Sequence, residues 1–164
     1  MILAVDVDYR DNHQASVAGI LFDDWRDTQP KAVVTTTVEG VASYQSGQFY
    51  KRELPCIVAL LAKIDQPLDG IVVDGYVFLG ASKKGLGAYL YEHLDHALPI
   101  IGVAKSPFKG ISEETFLYRG KSKKPLYITA VGMDLSQAKE AIKTMAGEFR
   151  IPFLLKEADR ICRL

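Results

Sequence analysis

The sequence predicts an α/β fold built on a mixed β-sheet. The first part of the chain alternates apolar and polar residues, as in an antiparallel hairpin that continues into a third strand. The segment 53–64 instead repeats its apolar residues at helical spacing. It is followed by Gly70-Ile-Val-Val-Asp74, an apolar run that ends in a carboxylate and is typical of a buried parallel strand. Antiparallel strands, a helix and a parallel strand in this order indicate a mixed sheet with helices on both faces.

The amino-terminal strands follow from local sequence. Residues 1–9 form the first predicted strand, Asp11 and Asn12 supply a turn, and residues 15–22 form the second strand. The segment 31–39 is rich in valine and threonine, and β-branched side chains favour a pleated strand over a helix. The sheet is therefore expected to begin as an antiparallel hairpin that extends into a meander.

The rest of the chain alternates helices and strands. In the helix 53–64, Pro55 is tolerable because it is expected in the first turn. Asp134 is expected to cap the last long helix. The remaining predicted elements are helices at 86–94, 135–149 and 154–162 and strands at 100–104, 116–118 and 126–131. With no repeat or linker to divide them, residues 1–164 are expected to form one domain.

Composition limits the classes of function. The chain has 164 residues, 48% of them hydrophobic, which is enough for an ordinary buried core. Twenty basic and twenty acidic side chains balance, so any contact with a polyanion has to come from a local basic patch. No apolar run approaches the roughly 18 residues that span a bilayer, and an acidic residue stands where a signal peptide would be hydrophobic. A cytoplasmic protein is expected.

Acidic residues at the ends of elements are the most informative feature. They are Asp6 and Asp8 in the first strand, Glu53 at a helix start, Asp74 at a strand end and Asp159 in the terminal helix. A carboxylate in the apolar strand around Asp6 would cost several kcal/mol to bury unpaired. Magnesium prefers oxygen ligands and tolerates one or two protein carboxylates together with substrate phosphates. Two or more such acids at one sheet edge would suit metal-assisted hydrolysis of a phosphodiester.

Each acid also has a purely structural interpretation. Asp74 precedes Gly75 and could form a turn, whereas Glu53 could be a favourable charge in the first turn of its helix. Asp159 could be a solvated surface acid. Asp8 shares a face with Asp6 and is either a ligand or a bystander.

Basic residues supply local patches that the net charge does not reveal. Lys105 follows an apolar strand, where a cation could bind a phosphate or offset charge in a transition state. Lysines also cluster in the segments 105–109 and 121–124 and at Lys83 and Lys84. Solvated surface lysines are the alternative interpretation.

The histidines and cysteines are interpreted as structural. His93 and His96 lie three residues apart on a predicted helix without a third ligand nearby in sequence, and His13 lies in the hairpin. Cys56 and Cys162 have no metal-ligand spacing and fit a reducing compartment. No zinc site or disulfide is predicted.

Five short motifs follow one another along the chain. They are Ala4-Val-Asp-Val-Asp-Tyr9; Tyr44-Gln-Ser-Gly47 with Phe49-Tyr-Lys-Arg-Glu-Leu-Pro55; Val73-Asp-Gly75; Gly102-Val-Ala-Lys-Ser106; and Pro125-Leu-Tyr-Ile128 with Pro152 and Ala158-Asp159. In this order they resemble the motifs of endonuclease V, the family that nicks nucleic acid near deaminated adenine. One such match would be weak, but five in sequence are fairly specific, and they cover most of the chain.

The resemblance implies a ribonuclease H-like fold and a set of catalytic residues. Asp6 and Asp74 would be ligands of Mg²⁺, with Mn²⁺ as an alternative metal. Glu53 and Asp159 would act as acids beside that metal or as ligands of a second one. Lys105 would lie near the scissile phosphate.

The resemblance also implies a substrate. Tyr44 matches the aromatic residue of a strand-separating wedge, and Gly47 and Gly75 match glycines around a pocket for flipped hypoxanthine. A mispaired deaminated base is cheaper to unstack than a paired one. The implied partner is DNA or RNA that contains deaminated adenine. Cleavage would fall one nucleotide beyond the lesion on its 3′ side and leave a 3′-hydroxyl and a 5′-phosphate, and a monomer is expected.

Two segments depart from the family pattern, so the chain resembles a short, divergent member. The wedge normally has prolines around its tyrosine, whereas this chain has Ser43-Tyr-Gln-Ser46. After Asp74-Gly75 the family usually has histidines and a proline, but here the run begins Tyr76-Val-Phe-Leu. Two alternatives therefore stand beside lesion cleavage: a non-catalytic nucleic-acid-binding module, and a ribonuclease H-like nuclease of different specificity. Retention of all four acids and Lys105 favours catalysis.

Overall fold

A computed structural model of the protein describes residues 1–11, 13–43 and 48–164. The strands of its sheet are β1 (Ile2–Arg10), β2 (Gln14–Phe22), β3 (Ala32–Val38), β4 (Gly70–Asp74), β5 (Ile100–Ala104), β6 (Phe116–Leu117) and β7 (Leu126–Val131). The α-helices are α1 (Phe49–Leu61), α2 (Leu86–His93), α3 (Leu135–Thr144) and α4 (Phe153–Cys162), and a 3₁₀ turn covers Glu113–Thr115.

The sheet is mixed, as the sequence predicted. Its spatial order is β3-β2-β1-β4-β5-β7-β6. The first three strands form an antiparallel meander, and β1, β4 and β5 run parallel. Strand β7 then pairs antiparallel with β5, and β6 pairs antiparallel with β7 at the edge of the sheet. The central strands β4 and β5 are almost wholly apolar because both of their faces are covered.

Helices cover both faces of the sheet, as predicted. Side chains alternate between faces along a strand, so Leu3 and Val5 of β1 pack on the side of α1 and α2. Ile2 and Ala4 pack on the side of α3 and α4. The sheet therefore separates two cores. Residues of β1 an even number of positions from Ala4 lie on the face that α4 covers.

Helix α1 begins at Phe49, four residues before the predicted start. The prediction placed Pro55 in the first turn, but it is the seventh residue of the helix. A proline there has no N–H to donate to the carbonyl of Lys51, so one bond of the helix is missing. Glu53 accordingly lies beyond the first turn, and its interpretation as a favourable first-turn charge is wrong.

Helix α3 ends at Thr144 rather than at residue 149. The guanidinium of Arg119 binds the carbonyls of Met145 and Gly147, which would otherwise accept hydrogen bonds within a longer helix. Gly147 also adopts a positive φ of 114°. Asp134 occupies the position before α3, but its side chain accepts no capping hydrogen bond from the residues that the structure describes.

Within the described ranges, every helix is too short or too polar to cross a membrane.

Candidate active site

Asp6 and Asp74 lie at the carboxyl ends of neighbouring parallel strands. Val5 of β1 is paired with Val73 of β4, so the next residue of each strand is an aspartate at the same edge of the sheet. Asp6 lies two residues after Ala4, and Asp74 lies two residues after Val72. Because alternate residues of a strand share a face, both aspartates lie on the face that α4 covers. The side chain of Asp6 is buried, and its Oδ1 accepts a hydrogen bond of 2.9 Å from the amide of Val7. The prediction that β4 delivers an acid to this edge is therefore consistent with the structure.

The environment of these two acids disfavours negative charge. Burial, followed by repulsion from Asp74, raises the pKa of Asp6 to about 7. Burial likewise raises the pKa of Asp74, whereas the ammonium of Lys105 opposes the shift. The charged forms of both side chains therefore lack sufficient compensation from the protein itself.

Glu53 approaches the same acids from α1. It is only 3% exposed, and its Oε2 has no hydrogen-bond partner among the residues that the structure describes. Burial raises its pKa well above the ordinary value, and Asp74 and Asp6 raise it further. The adjacent Arg52 opposes the shift only in part, and its guanidinium lies 3.6 Å from the centre of the Tyr9 ring.

Lys105 follows β5 and faces Asp74. Its Nζ lies 3.8 Å from Oδ1 of Asp74, and both side chains are partly exposed. A cavity of about 20 Å³ is bounded by Asp6, Asp74 and Lys105 together with residues of α4 that include Leu155 and Ala158. A space of this size holds about one water-sized body.

Helix α4 adds a fourth acid. A carboxylate oxygen of Asp159, one of Asp6 and the sulfur of Cys162 all lie within 4.8 Å of one another. Asp159 also pairs with Arg163 at 2.9 Å, and Arg163 lies 3.7 Å from Asp8. The sequence did not indicate that Cys162 lies beside Asp6, although its i,i+3 spacing from Asp159 would have allowed it. Burial raises the pKa of the Cys162 thiol to about 12.

Asp8 has ion-pair partners of its own. Besides Arg163, Nε of Arg10 lies 3.8 Å from its carboxylate. Of the two interpretations that the sequence left open, these contacts favour a bystander, because two guanidinium groups already compensate its charge.

The glycine after Asp74 has the conformation that only glycine readily adopts. Gly75 has φ of 133°, and its amide donates to the carbonyl of Val103 at 3.0 Å. Its own carbonyl would lie 2.6 Å from a Cβ at Gly102. Glycine at position 102 thus lets the loop after Asp74 cross β5 closely. Tyr44 and Gly47, the other two predicted substrate contacts, lie outside the described residues.

Two side chains that the sequence did not indicate hold the backbone at Lys105. The guanidinium of Arg150 donates to the carbonyl of Lys105 and, at 2.7 Å, to that of Pro125. On the other side, the hydroxyl of Tyr76 donates to the carbonyl of Ser106 at 2.6 Å, and its ring packs edge-on against Phe108. Tyr76 and Arg150 therefore fix the segment that carries Lys105 relative to the end of β4.

The donor set fits a hard divalent cation. Asp6, Glu53, Asp74 and Asp159 offer only oxygen, and Glu53 has an unpartnered buried oxygen that a cation would satisfy. Within the described ranges, Asp6, Asp159 and Cys162 are the only trio of potential ligands within 4.8 Å of one another, so Asp6, Glu53 and Asp74 are spaced more widely. The site is thus an acidic centre at the carboxyl edge of the parallel strands, with Lys105 facing Asp74 and Arg163 paired with Asp159.

Comparison of the fold identifies its class. A crystal structure of endonuclease V from Streptomyces avermitilis superposes with a TM-score of 0.80 at 27% identity, covering 99% of this chain and 79% of that one. A crystal structure of Ciona intestinalis endonuclease V, in complex with a DNA that contains an inosine followed by a ribo-adenosine, gives a TM-score of 0.84. Its identity is 20%, and it covers 99% of this chain and 84% of that one, so it establishes the fold alone. The architecture is that of an endonuclease V nuclease and is consistent with the implied ribonuclease H-like fold.

Sequence comparison then gives the family. The sequence model of the endonuclease V family matches residues 1–120. Endonuclease V of Thermococcus kodakarensis is 31% identical over 164 residues, covering 98% of this chain and 76% of its own length. The Streptomyces avermitilis enzyme is 29% identical over 183 residues, covering 99% and 79%. The chain belongs to the endonuclease V family and is a nuclease, as the motifs predicted.

Proposed function

We propose that this protein is a magnesium-dependent endonuclease that hydrolyses a phosphodiester bond near a deaminated base, either deoxyinosine in DNA or inosine in RNA. The observation that carries the proposal is the group formed by the buried Asp6 and Glu53 and the partly exposed Asp74, whose charges the protein itself leaves poorly compensated. The inosine-containing DNA bound by the Ciona relative supports the choice of substrate. The products would carry a 3′-hydroxyl and a 5′-phosphate.

Each site residue has a defined role in this proposal. Asp6 and Asp74 would hold Mg²⁺ or Mn²⁺, and Glu53 and Asp159 would lie beside it or hold a second ion. When bound, the metal would offset charge on the phosphate oxygens and lower the pKa of a bound water. The unpartnered Oε2 of Glu53 would accept a hydrogen bond from the attacking water.

The partly exposed ammonium of Lys105 is suited to the phosphate. It lies 3.8 Å from Asp74, so a small rotation could bring Nζ to a phosphate oxygen while it remains at the acidic centre. There it would offset charge that develops in the transition state. Tyr44 as the wedge and Gly47 with Gly75 at the base pocket remain proposals that rest on the family motifs.

A cleavage assay tests the proposed function. Matched single- and double-stranded DNA and RNA oligonucleotides, with and without one inosine, are incubated with the protein in magnesium and in chelator. We expect magnesium-dependent nicking of the inosine strands, with 3′-hydroxyl and 5′-phosphate ends. Binding without cleavage would favour a non-catalytic module, and equal cleavage of inosine-free strands would favour a nuclease of different specificity.

We predict that removing the support of Lys105 lowers turnover more than substrate affinity. Arg150→Met removes the donors to the carbonyls of Lys105 and Pro125, and Tyr76→Phe removes the hydroxyl that binds Ser106. We expect kcat to fall by about tenfold in each, because small misplacements of a catalytic group are costly, while KM changes little.

The matched control is Arg26→Met, which removes the same charge from an exposed loop after β2. It should leave kcat within about twofold, since changes at exposed positions are usually small. Wild-type kcat in both Arg150→Met and Tyr76→Phe would show that the two contacts serve only the fold.

A further inference from the structure

Three aromatic side chains are exposed on segments that hydrogen bonds or chain connectivity link to one another. Phe149 is 71% exposed, Tyr118 56% and Phe153 42%, which places them among the most exposed large apolar side chains of the described residues. Tyr118 follows β6, Phe149 lies between α3 and α4, and Phe153 begins α4. We name these three residues, with Lys156, the aromatic surface.

Hydrogen bonds fix the backbone beneath the aromatic surface. Arg119, next to Tyr118, donates to the carbonyl of Phe149 at 2.5 Å. The amide of Phe153 donates to the carbonyl of Ala146 at 2.9 Å. The rings are thus presented to solvent from a fixed backbone, which lowers the entropy that a ligand contact would cost.

Positive charge accompanies the exposed rings. The Nζ of Lys156 lies 5.9 Å from the centre of the Phe149 ring. Lys121, Lys123 and Lys124 follow Tyr118 in the chain. The acidic neighbour Glu157 is paired with Arg160 at 2.8 Å, although Glu148 beside Phe149 is exposed. Exposed aromatic rings interleaved with lysines are typical of surfaces that bind single-stranded nucleic acid.

The loop and helix that carry the aromatic surface also contribute residues to the active site. Arg150, the residue after Phe149, binds the carbonyl of Lys105. Ile151 and Leu155, which flank Phe153 in sequence, line the cavity that contains Asp6 and Lys105. A strand whose phosphate reaches Lys105 would therefore pass the loop that carries Phe149.

We infer that Phe149, supported by Tyr118 and Phe153, stacks against an unpaired base of the substrate strand beside the scissile phosphate, while Lys156 contacts its backbone. The inference rests on the proposed function, because it requires a nucleic-acid strand at Lys105. It adds a second contact that is indifferent to base identity and separate from the pocket for the deaminated base. Such a contact would favour single-stranded over fully paired substrates near the cut.

The test is binding of a fluorescent single-stranded DNA with one inosine, measured by anisotropy in calcium at one fixed salt concentration. Phe149→Leu keeps an apolar side chain but removes the ring, and we expect its Kd to rise by about tenfold, within the range for loss of one base stack. Phe149→Tyr keeps the ring and should stay within about twofold of the wild type. Lys156→Gln should weaken binding and lower the salt dependence by about one phosphate contact.

Abasic substitutions along the same strand locate the stacked base. At one position, removing the base should weaken the wild type by about the same factor as Phe149→Leu, and should not weaken Phe149→Leu further. Equal affinity of Phe149→Leu and the wild type would overturn the inference. It would also be overturned if Phe149→Leu bound more weakly than the wild type at every abasic position. Self-association abolished by Phe149→Leu, seen by sedimentation velocity, would also overturn it in favour of a second copy of the chain. If the wild type binds none of the strands, the proposed function itself fails.

Discussion

Asp6→Asn should abolish magnesium-dependent cleavage while the fold remains intact. The substitution removes one charge from the centre of the acidic group and one proposed ligand, so we expect kcat to fall by about 10³-fold or more, the scale on which metal-assisted catalysis contributes several kcal/mol. Asparagine has nearly the shape of aspartate, and its amide oxygen can still accept the hydrogen bond from Val7. The cleavage rate on a single-stranded inosine oligonucleotide is the measurement.

Asp6→Asn should lower the cleavage rate but raise the thermal stability of the protein without metal. The pKa of Asp6 is raised to about 7 in the folded protein, so its protonated form is favoured by the fold. Its contribution to stability is fully present below the unfolded pKa near 4 and is lost as the pH rises through about 7. In chelator at pH 8, Asp6→Asn should therefore unfold about 3 °C or more above the wild type. A wild-type rate of cleavage, or a large loss of stability, would contradict the assignment of Asp6.

Arg119→Met should lower the free energy of unfolding more than any of the other substitutions. Arg119 is 5% exposed, and its guanidinium donates to the carbonyls of Met145, Gly147, Phe149 and Arg150. Hydrogen bonds from a charged donor contribute about 1.5 to 3 kcal/mol each, and they are not additive here because one side chain makes all four. We expect the free energy of unfolding to fall by about 3 to 5 kcal/mol, measured by urea denaturation with an unchanged m-value.

Arg160→Met provides the matched control. Arg160 is exposed and its side chain binds only Glu157 among the described residues, so its loss should cost at most about 1 kcal/mol. Arg119→Lys should fall between the two, since an ammonium keeps the charge but not the planar fork of donors. If Arg119→Met loses no more stability than Arg160→Met, the loop after α3 is held by other contacts.

The parts of the site that the sequence revealed are those set by strand ends. Two apolar runs that end in Asp6 and Asp74 lie side by side because both strands are parallel and central, and alternation along the strands places both carboxylates on one face. Lys105 follows the next parallel strand for the same reason. Local patterns were sufficient here because the two-residue period of a strand fixes the face of each side chain, and the end of the apolar run marks the edge of the sheet.

The parts that the sequence did not reveal depend on contacts with backbone carbonyls. Arg119 and Arg150 bind carbonyls distant in the chain, and such contacts leave no complementary charge in the sequence. Since these contacts leave no signal, the helical pattern predicted that α3 would continue through Phe149, whereas it ends at Thr144. The start of α1 was misplaced because Pro55 was assigned to a first turn, although the helix had already begun at Phe49.

The central claim is that Asp6 and Asp74, with Glu53 beside them, hold a divalent cation, and thermal unfolding tests it most directly. The protein is unfolded at pH 8 in chelator and then in rising magnesium, with sodium chloride added to keep the ionic strength constant, beside Asp6→Asn. At a magnesium concentration about 100 times the Kd, binding adds about 2.7 kcal/mol, which should raise the Tm of the wild type by roughly 5 to 10 °C. The rise should shrink at pH 5, where protonation competes with the metal, and should be absent in Asp6→Asn. Equal rises in the two proteins, or none in the wild type, would contradict the claim.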